Sequence, residues 1–67
     1  MSVAKVTEII ASSSKSFDDA VVKGIQRASK TIKNIRGAWI AQQKITVAKG
    51  KITEFRVVMR VTFVLDD

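Results

Sequence analysis

The sequence predicts an α+β fold in which three antiparallel strands and one helix follow each other in the order β-α-β-β. Three patterns support this prediction: a strictly alternating C-terminal segment, an amphipathic segment behind a helix-capping sequence, and a short β-branched N-terminal segment. The 67 residues are expected to form one domain, residues 1–67. So short a chain buries only about 60% of its unfolded surface. Because it has no cysteine or histidine for a disulfide or zinc staple, we expect it to self-associate.

The first half of the chain predicts a strand followed by a helix. Residues 3–11 are rich in β-branched side chains and end at a serine cluster, which is typical of a short strand. Ser16 and Asp19 have the spacing of a capping box, so the helix should begin at Phe17. Beyond it, apolar residues recur at alternating steps of four and three: Val21, Ile25, Ala28, Ile32 and Ile35. This spacing predicts an amphipathic helix that ends near Ile35.

The second half predicts a hairpin. Six apolar residues alternate with mostly polar ones: Phe55, Val57, Met59, Val61, Phe63 and Leu65. The pattern predicts a strand of about fourteen residues with one apolar face toward the core. Gly50 lies in a turn at residues 48–51, so residues 36–47 should form the antiparallel partner strand. The last strand would extend about 45 Å, whereas a helix of about nineteen residues spans about 28 Å. Other subunits should cover the apolar surface that the helix leaves bare.

The net charge of +6 comes from twelve Lys and Arg against six Asp and Glu. Four of the basic residues fall in the second half of the predicted helix: Lys23, Arg27, Lys30 and Lys33. Cations there complement the helix dipole, which explains much of the basicity. Without aromatic residues interleaved on a basic face, nucleic acid is not an expected partner. No apolar run could span a bilayer and no leader is evident, so a cytoplasmic location without a membrane partner is expected.

The residue types argue against an enzyme. Without His or Cys, neither a Ser-His nor a Cys-His nucleophile can form. Four of the carboxylates have structural positions, at the helix start or the C-terminus: Asp18, Asp19, Asp66 and Asp67. Glu8 and Glu54 remain, and nothing in the sequence brings them together for acid-base work. No metal ligands are assigned.

The second strand contains the one tryptophan of the chain, two residues after Gly37. Regular alternation places four residues on one face: Gly37, Trp39, Ala41 and Gln43. Trp39 could lie in the core, contact another subunit, or provide a platform for a flat aromatic ligand. On the last strand, Arg56 and Arg60 should point away from the core, because the alternate positions are all apolar.

Several segments together resemble the dodecin family. They are a strand ending in "EIIASS", the helical "SFDDAVVKGIQRASKTIKNIR", the hairpin, and the closing "FRVVMRVTFVLD". The resemblance covers nearly the whole length. It implies a three-stranded antiparallel sheet wrapped around one helix, in a subunit that assembles into a hollow homododecamer. It also implies a non-enzymatic protein that stores or sequesters flavins, riboflavin or FMN, with two ligands stacked in each pocket.

The resemblance also suggests site residues. Aligned at "KNIR", the family's stacking tryptophan falls at Gly37 and its ring-edge glutamine falls at Arg56. Lys44 matches a position that is basic in some members that bind flavin phosphates. Calcium dodecins likewise lack that tryptophan and have arginine in the last strand, and the chain resembles that subset more closely. The resemblance therefore implies an alternative, a shell that binds cations such as calcium, or that binds no flavin. The candidate ligand-binding residues are Gly37, Trp39, Gln43, Lys44 and Arg56.

Overall fold

The computed structural model describes residues 3–65 and confirms the predicted β-α-β-β order. The elements are β1 (Ala4–Ser13), α1 (Phe17–Ala28), β2 (Ile35–Ala48) and β3 (Lys51–Val64). The strands form one antiparallel sheet in the order β1-β3-β2. Asp66 and Asp67, assigned above to the terminus, lie outside the described residues.

The turn between β2 and β3 has the predicted position and the geometry that its glycine suggests. Lys49 and Gly50 both have positive φ angles, of 53° and 75°. Two successive residues of this kind make the hairpin turn whose twist matches that of the flanking strands. The predicted glycine turn is therefore confirmed.

The helix begins at Phe17, as predicted, and Ser16 is its N-cap. The Ser16 hydroxyl accepts a hydrogen bond from the Asp19 backbone N–H at 3.0 Å. The Asp19 carboxylate does not complete the capping box. It accepts a hydrogen bond from the Ser13 hydroxyl at 2.5 Å and pairs with the Lys23 ammonium at 3.1 Å. The Ser13 hydrogen bond and then Lys23 lower the pKa of Asp19. This carboxylate therefore ties the end of β1 to the first turns of α1.

The prediction that the helix continues to Ile35 is wrong. The helix ends at Ala28, and the Ser29 hydroxyl donates to the Ile25 carbonyl at 2.8 Å. Such local side-chain bonds compete with further helical turns. Asn34 has φ of 63°, and Ile35 starts β2 opposite Phe63. The predicted helical cations Lys30 and Lys33 consequently lie beyond the helix, in the segment that leads to β2.

The core forms between α1 and the middle of the sheet. Ala20 of α1 and Val57, Met59 and Val61 of β3 are all fully buried. Phe17 meets Phe55 edge to face, with ring centroids 5.2 Å apart. From Phe55 to Phe63 the odd-numbered residues of β3 thus lie on the core side, as their alternation predicted. The prediction does not extend to Leu65, which follows the end of β3 and is 42% exposed.

α1 packs on β1 and β3, and it is too short to cover the sheet. Its twelve residues span about 18 Å, whereas the fourteen residues of β3 extend about 48 Å. β2 is exposed along its length after Ile35. On the sheet face that carries α1, four apolar residues therefore lie 39 to 56% exposed: Ile40, Ile45, Val47 and Ile52. We call them the apolar strip. Within residues 3–65, no helix is long and apolar enough to cross a membrane.

Candidate functional site

The candidate site lies on the sheet face that points away from α1, which we call the outer face. Directly paired residues of antiparallel strands project to the same side, so the register assigns each side chain to a face. The partners of buried Val57, Met59 and Val61 lie on the side of α1. The outer face contains four pairs between β2 and β3: Gly37 with Thr62, Trp39 with Arg60, Gln42 with Val58, and Lys44 with Arg56.

Trp39 is the exposed aromatic residue of this face. Its side chain is 47% exposed and lies directly across from Arg60. Arg60 also approaches Glu8 of β1, with 3.5 Å between Nε and a carboxylate oxygen. Trp39 therefore presents a flat apolar surface beside a guanidinium group that has a counter-ion. This arrangement can stack a planar ring.

Gly37 leaves open space beside Trp39. A β-carbon added at Gly37 would meet only the Thr62 hydroxyl oxygen within 4 Å, at 3.4 Å. That hydroxyl donates to the Gly37 carbonyl at 3.0 Å, which fixes the two strands at this point. Apart from the Thr62 hydroxyl, no side chain of the same copy occupies the space above Gly37.

Lys44 and Arg56 place two cations directly opposite each other on the outer face. Like charges in this position destabilise a sheet. Glu54 offsets part of the repulsion between Lys44 and Arg56, because its carboxylate binds the Arg56 guanidinium at 2.8 Å. Within residues 3–65, Lys44 has no ion pair, so its ammonium group is available to an anion. Lys44 and Arg56 form the basic end of the outer face. Lys44 is the second outward-facing residue of β2 after Trp39.

Gln43 does not share the face of Trp39, contrary to the prediction. The register shifts by one residue between Ile40 and Gln42, which leaves Ala41 as an extra residue in β2. One extra residue reverses the alternation that follows it. Gln43 is consequently paired with Val57 and lies on the side of α1. Gln42 takes the outward position between Trp39 and Lys44.

The structure brings together four of the five predicted site residues on the outer face: Gly37, Trp39, Lys44 and Arg56. Gln42 was not predicted as a site residue, and Arg60 was not predicted to lie across from Trp39. The cross-strand register places Arg60 opposite Trp39. That register depends on the turn and the bulges together, so the sequence pattern of one strand does not give it. The bulge at Ala41 has no clear signal in the sequence, since no glycine or proline marks it.

The carboxylates of the described chain do not form a metal site. Among residues 3–65, no group of three His, Cys, Asp or Glu side chains is close enough to hold a metal ion. On the outer face, Glu8 and Glu54 each bind an arginine. A calcium ion prefers six to eight oxygen ligands. The described residues of one copy therefore do not supply such a site.

A single helix on one side of a long β1-β3-β2 sheet, with an exposed tryptophan and cations on the bare side, defines a small β-α-β-β subunit. The sequence model of the dodecin family, described as "Dodecin", matches residues 3–66. The chain belongs to the dodecin family. This confirms the resemblance found in the sequence.

Comparison with individual relatives gives the same result. The chain is 39% identical over 64 residues to the calcium dodecin of Mycobacterium tuberculosis, covering 94% of this chain and 89% of that protein. A solved dodecin from Streptomyces davaonensis matches with a TM-score of 0.94 and 32% identity, covering 98% of this chain and 97% of the other. The solved M. tuberculosis calcium dodecin, described as a calcium-chelating antigen with a calcium-binding site, matches with a TM-score of 0.82 and 34% identity. It covers 96% of this chain and 91% of that one.

Proposed function

We propose that this protein is a non-enzymatic binding and storage protein of the cytoplasm, which assembles into a homododecamer and holds a flavin on its outer face. The observation that supports the ligand is Trp39, half exposed on the bare side of the sheet and next to the open position of Gly37. Tryptophan is enriched where a surface makes contacts, because its large flat ring offers much area for stacking.

The residues around Trp39 fit a flat ligand with a negative charge. The indole supplies a stacking surface, and Gly37 leaves room for the rest of a tricyclic ring. Lys44 offers an ammonium group that no carboxylate of the described chain neutralises. These features favour FMN over riboflavin, because the phosphate of FMN adds an ion pair that riboflavin lacks. A bound flavin would supply the chromophore, and the chain's role would be to hold it and to shield its ring from water.

The apolar strip supports assembly. Ile45, Val47 and Ile52 are neighbours near the hairpin turn, and Ile40 lies farther along β2, beyond Gln43; all four lie on the side of α1 and remain exposed. A patch of this kind on so small a domain usually marks contacts with other chains. The absence of cysteines fits a reducing compartment.

A fluorescence titration tests the ligand. Aliquots of protein are added to dilute FMN or riboflavin, and light scattering measures the particle mass of the same sample. The proposal predicts saturable quenching of flavin fluorescence at micromolar protein, stronger for FMN, by a particle of about twelve chains. Constant fluorescence at every protein concentration would remove flavin as the ligand.

Calcium is the second candidate, and it is supported by the 39% identity to a calcium dodecin. Because Glu8 and Glu54 are bound to arginines and lie apart, a calcium site would need carboxylates from more than one copy. Calcium should then raise the thermal midpoint of the assembled particle, and magnesium at equal ionic strength should not. If FMN raises the midpoint and calcium leaves it unchanged, the flavin proposal stands and this alternative fails.

A further inference from the structure

We infer that Gln42 forms the hydrogen bonds that recognise the edge of a bound flavin ring, and so selects the ligand on the outer face. This inference rests on the proposed flavin function and adds to it a specificity-determining residue. It depends on the bulge at Ala41, without which Gln42 would point to the side of α1.

The position of Gln42 suits this role. It occupies the next outward position on β2 after Trp39, opposite Val58 rather than opposite a polar side chain. Successive outward positions lie about 7 Å apart along a strand. A ring that stacks on Trp39 and extends along β2 would therefore bring one edge to the Gln42 amide. Within residues 3–65, that amide has no hydrogen-bond partner, so both of its polar groups are free.

The chemistry of the ring edge requires both a donor and an acceptor. The pyrimidine end of a flavin has an imide, in which one N–H lies between two carbonyl groups. A carboxamide can accept from that N–H and donate to a neighbouring carbonyl at the same time. A guanidinium or ammonium group has donors only and cannot accept from the imide.

Ser12 and Thr46 also lie on the outer face, but a single hydroxyl oxygen cannot contact two adjacent groups of the ring edge with a separate donor atom and acceptor atom, as a carboxamide can. The other polar side chains of this face do not meet the requirement either. Arg56 and Lys44 are donors only. Glu54 and Glu8 can accept, but each is bound to an arginine. The Thr62 hydroxyl donates to the Gly37 carbonyl. Gln42 is the one carboxamide that the register places on the outer face of the described strands.

Two neighbouring glutamines give a matched test. Gln42→Leu removes the amide from the outer face, whereas Gln43→Leu makes the same chemical change one residue later on the other face. Each variant and the unmodified protein are titrated with riboflavin and with N3-methylriboflavin, which lacks the imide N–H. Particle mass is measured by light scattering in every case.

For the unmodified protein we expect N3-methylation to weaken binding about tenfold, equivalent to about 1.4 kcal/mol. Gln42→Leu should weaken riboflavin binding by a similar factor and abolish the difference between the two ligands. Gln43→Leu should retain both the affinity and the difference.

The outcomes separate this inference from the function on which it rests. If the unmodified protein quenches neither ligand, the proposed function and the inference both fail. If it binds both ligands equally well, or if Gln42→Leu still discriminates between them, flavin binding stands and the assignment of Gln42 is overturned. Should Gln42→Leu fail to assemble, Gln42→Met, which keeps the length of the side chain but lacks the amide, replaces it in the same two titrations, with the same expected loss of discrimination.

Discussion

Gly24 of α1 lies so close to Met59 of β3 that a β-carbon there would be 2.7 Å from the Met59 methyl carbon. It would also lie 2.9 Å from the Ala11 β-carbon, in β1. Real β-carbons almost never approach so closely. A glycine in the middle of a helix usually costs about 1 kcal/mol relative to alanine. Here the cost is offset by close packing of the helix on two strands.

We predict that Gly24→Ala lowers the free energy of unfolding by about 1 to 2 kcal/mol, although alanine favours the helix. The Met59 methyl group can move away, but the Ala11 β-carbon is fixed to the backbone of β1, so α1 must shift. Overpacking of this kind costs about 1 to 3 kcal/mol. Denaturant unfolding measures the change. Gln26→Ala, on the exposed side of α1, is the control and should be neutral or slightly stabilising. Equal stability of the Gly24→Ala variant and the unmodified protein would show that α1 can move away from Ala11 and Met59 without loss of stability.

A second prediction concerns the acid stability that Asp19 confers. Its pKa is lowered in the fold, first by the Ser13 hydroxyl and then by Lys23. A carboxyl with a lowered folded pKa stabilises the protein above the unfolded value of about 4. This contribution is lost as the pH falls from there through the folded pKa. Asp19→Asn should therefore lower the stability near neutral pH and flatten its decline below about pH 4.

Urea unfolding at a series of pH values measures this effect. Asp18→Asn is the matched control, because it removes a carboxyl from the same helical turn without affecting Ser13 or Lys23. Its stability should decline in acid much as that of the unmodified protein does. Parallel curves for the unmodified and Asp19→Asn proteins would show that the contacts of Asp19 are unimportant for folding.

Local signals predicted most of the fold, and the failures occurred where a non-local contact decides the structure. Ser16 and the alternation around Met59 act over a few residues, so the sequence predicts the helix start and the core face of β3 well. The end of the helix was missed because Ile32 and Ile35 continue the helical spacing beyond Ala28. What prevents the helix from continuing to Ile35 is the positive φ of Asn34 and the pairing of Ile35 with β3.

The candidate site was predicted less well for a related reason. Trp39 and Gly37 share a face because no irregularity separates them. The next residues change face at Ala41, and a bulge there depends on how β2 and β3 register against each other. A pattern of period two, counted from Trp39, therefore assigns Gln43 to the wrong face. The face of a residue in β2 follows from the register with β3 rather than from β2 alone.

The apolar strip leads to a third prediction, about assembly. Ile45→Lys places a charge in the strip, on the side of α1, and should shift the particle mass toward that of a single chain. Thr46→Lys makes the same substitution at the next residue, on the outer face and opposite Glu54, and the particle should remain intact. Sedimentation velocity at equal protein concentration measures both. Intact particles for both variants would place the subunit contacts elsewhere on the chain.

A fourth prediction separates charge from stacking. Lys44→Ala removes the cation next to Gln42 on the outer face, unpaired within residues 3–65, and should weaken FMN binding about fivefold, the effect of about 1 kcal/mol, while riboflavin binding changes little. Because the repulsion from Arg56 is relieved, the free energy of unfolding should rise by a few tenths of a kcal/mol. Lys51→Ala, an equal charge change at the start of β3, is the control. Equal loss of both ligands would mean that Lys44 shapes the site rather than binding the phosphate.

Of the three roles that the sequence leaves open for Trp39, its 47% exposure excludes the core. The last prediction distinguishes the other two. If Trp39 stacks on the ligand, Trp39→Ala should weaken flavin binding by about tenfold or more while the particle mass stays unchanged. Trp39→Phe, which keeps a flat ring, should retain part of the affinity but quench the flavin less. If Trp39 is instead a subunit contact, Trp39→Ala should lower the particle mass even without flavin. Light scattering in the absence of ligand, followed by FMN titration of the same samples, decides between the two. Because the indole is half exposed in one copy, its removal should leave the fold of that copy intact under either outcome.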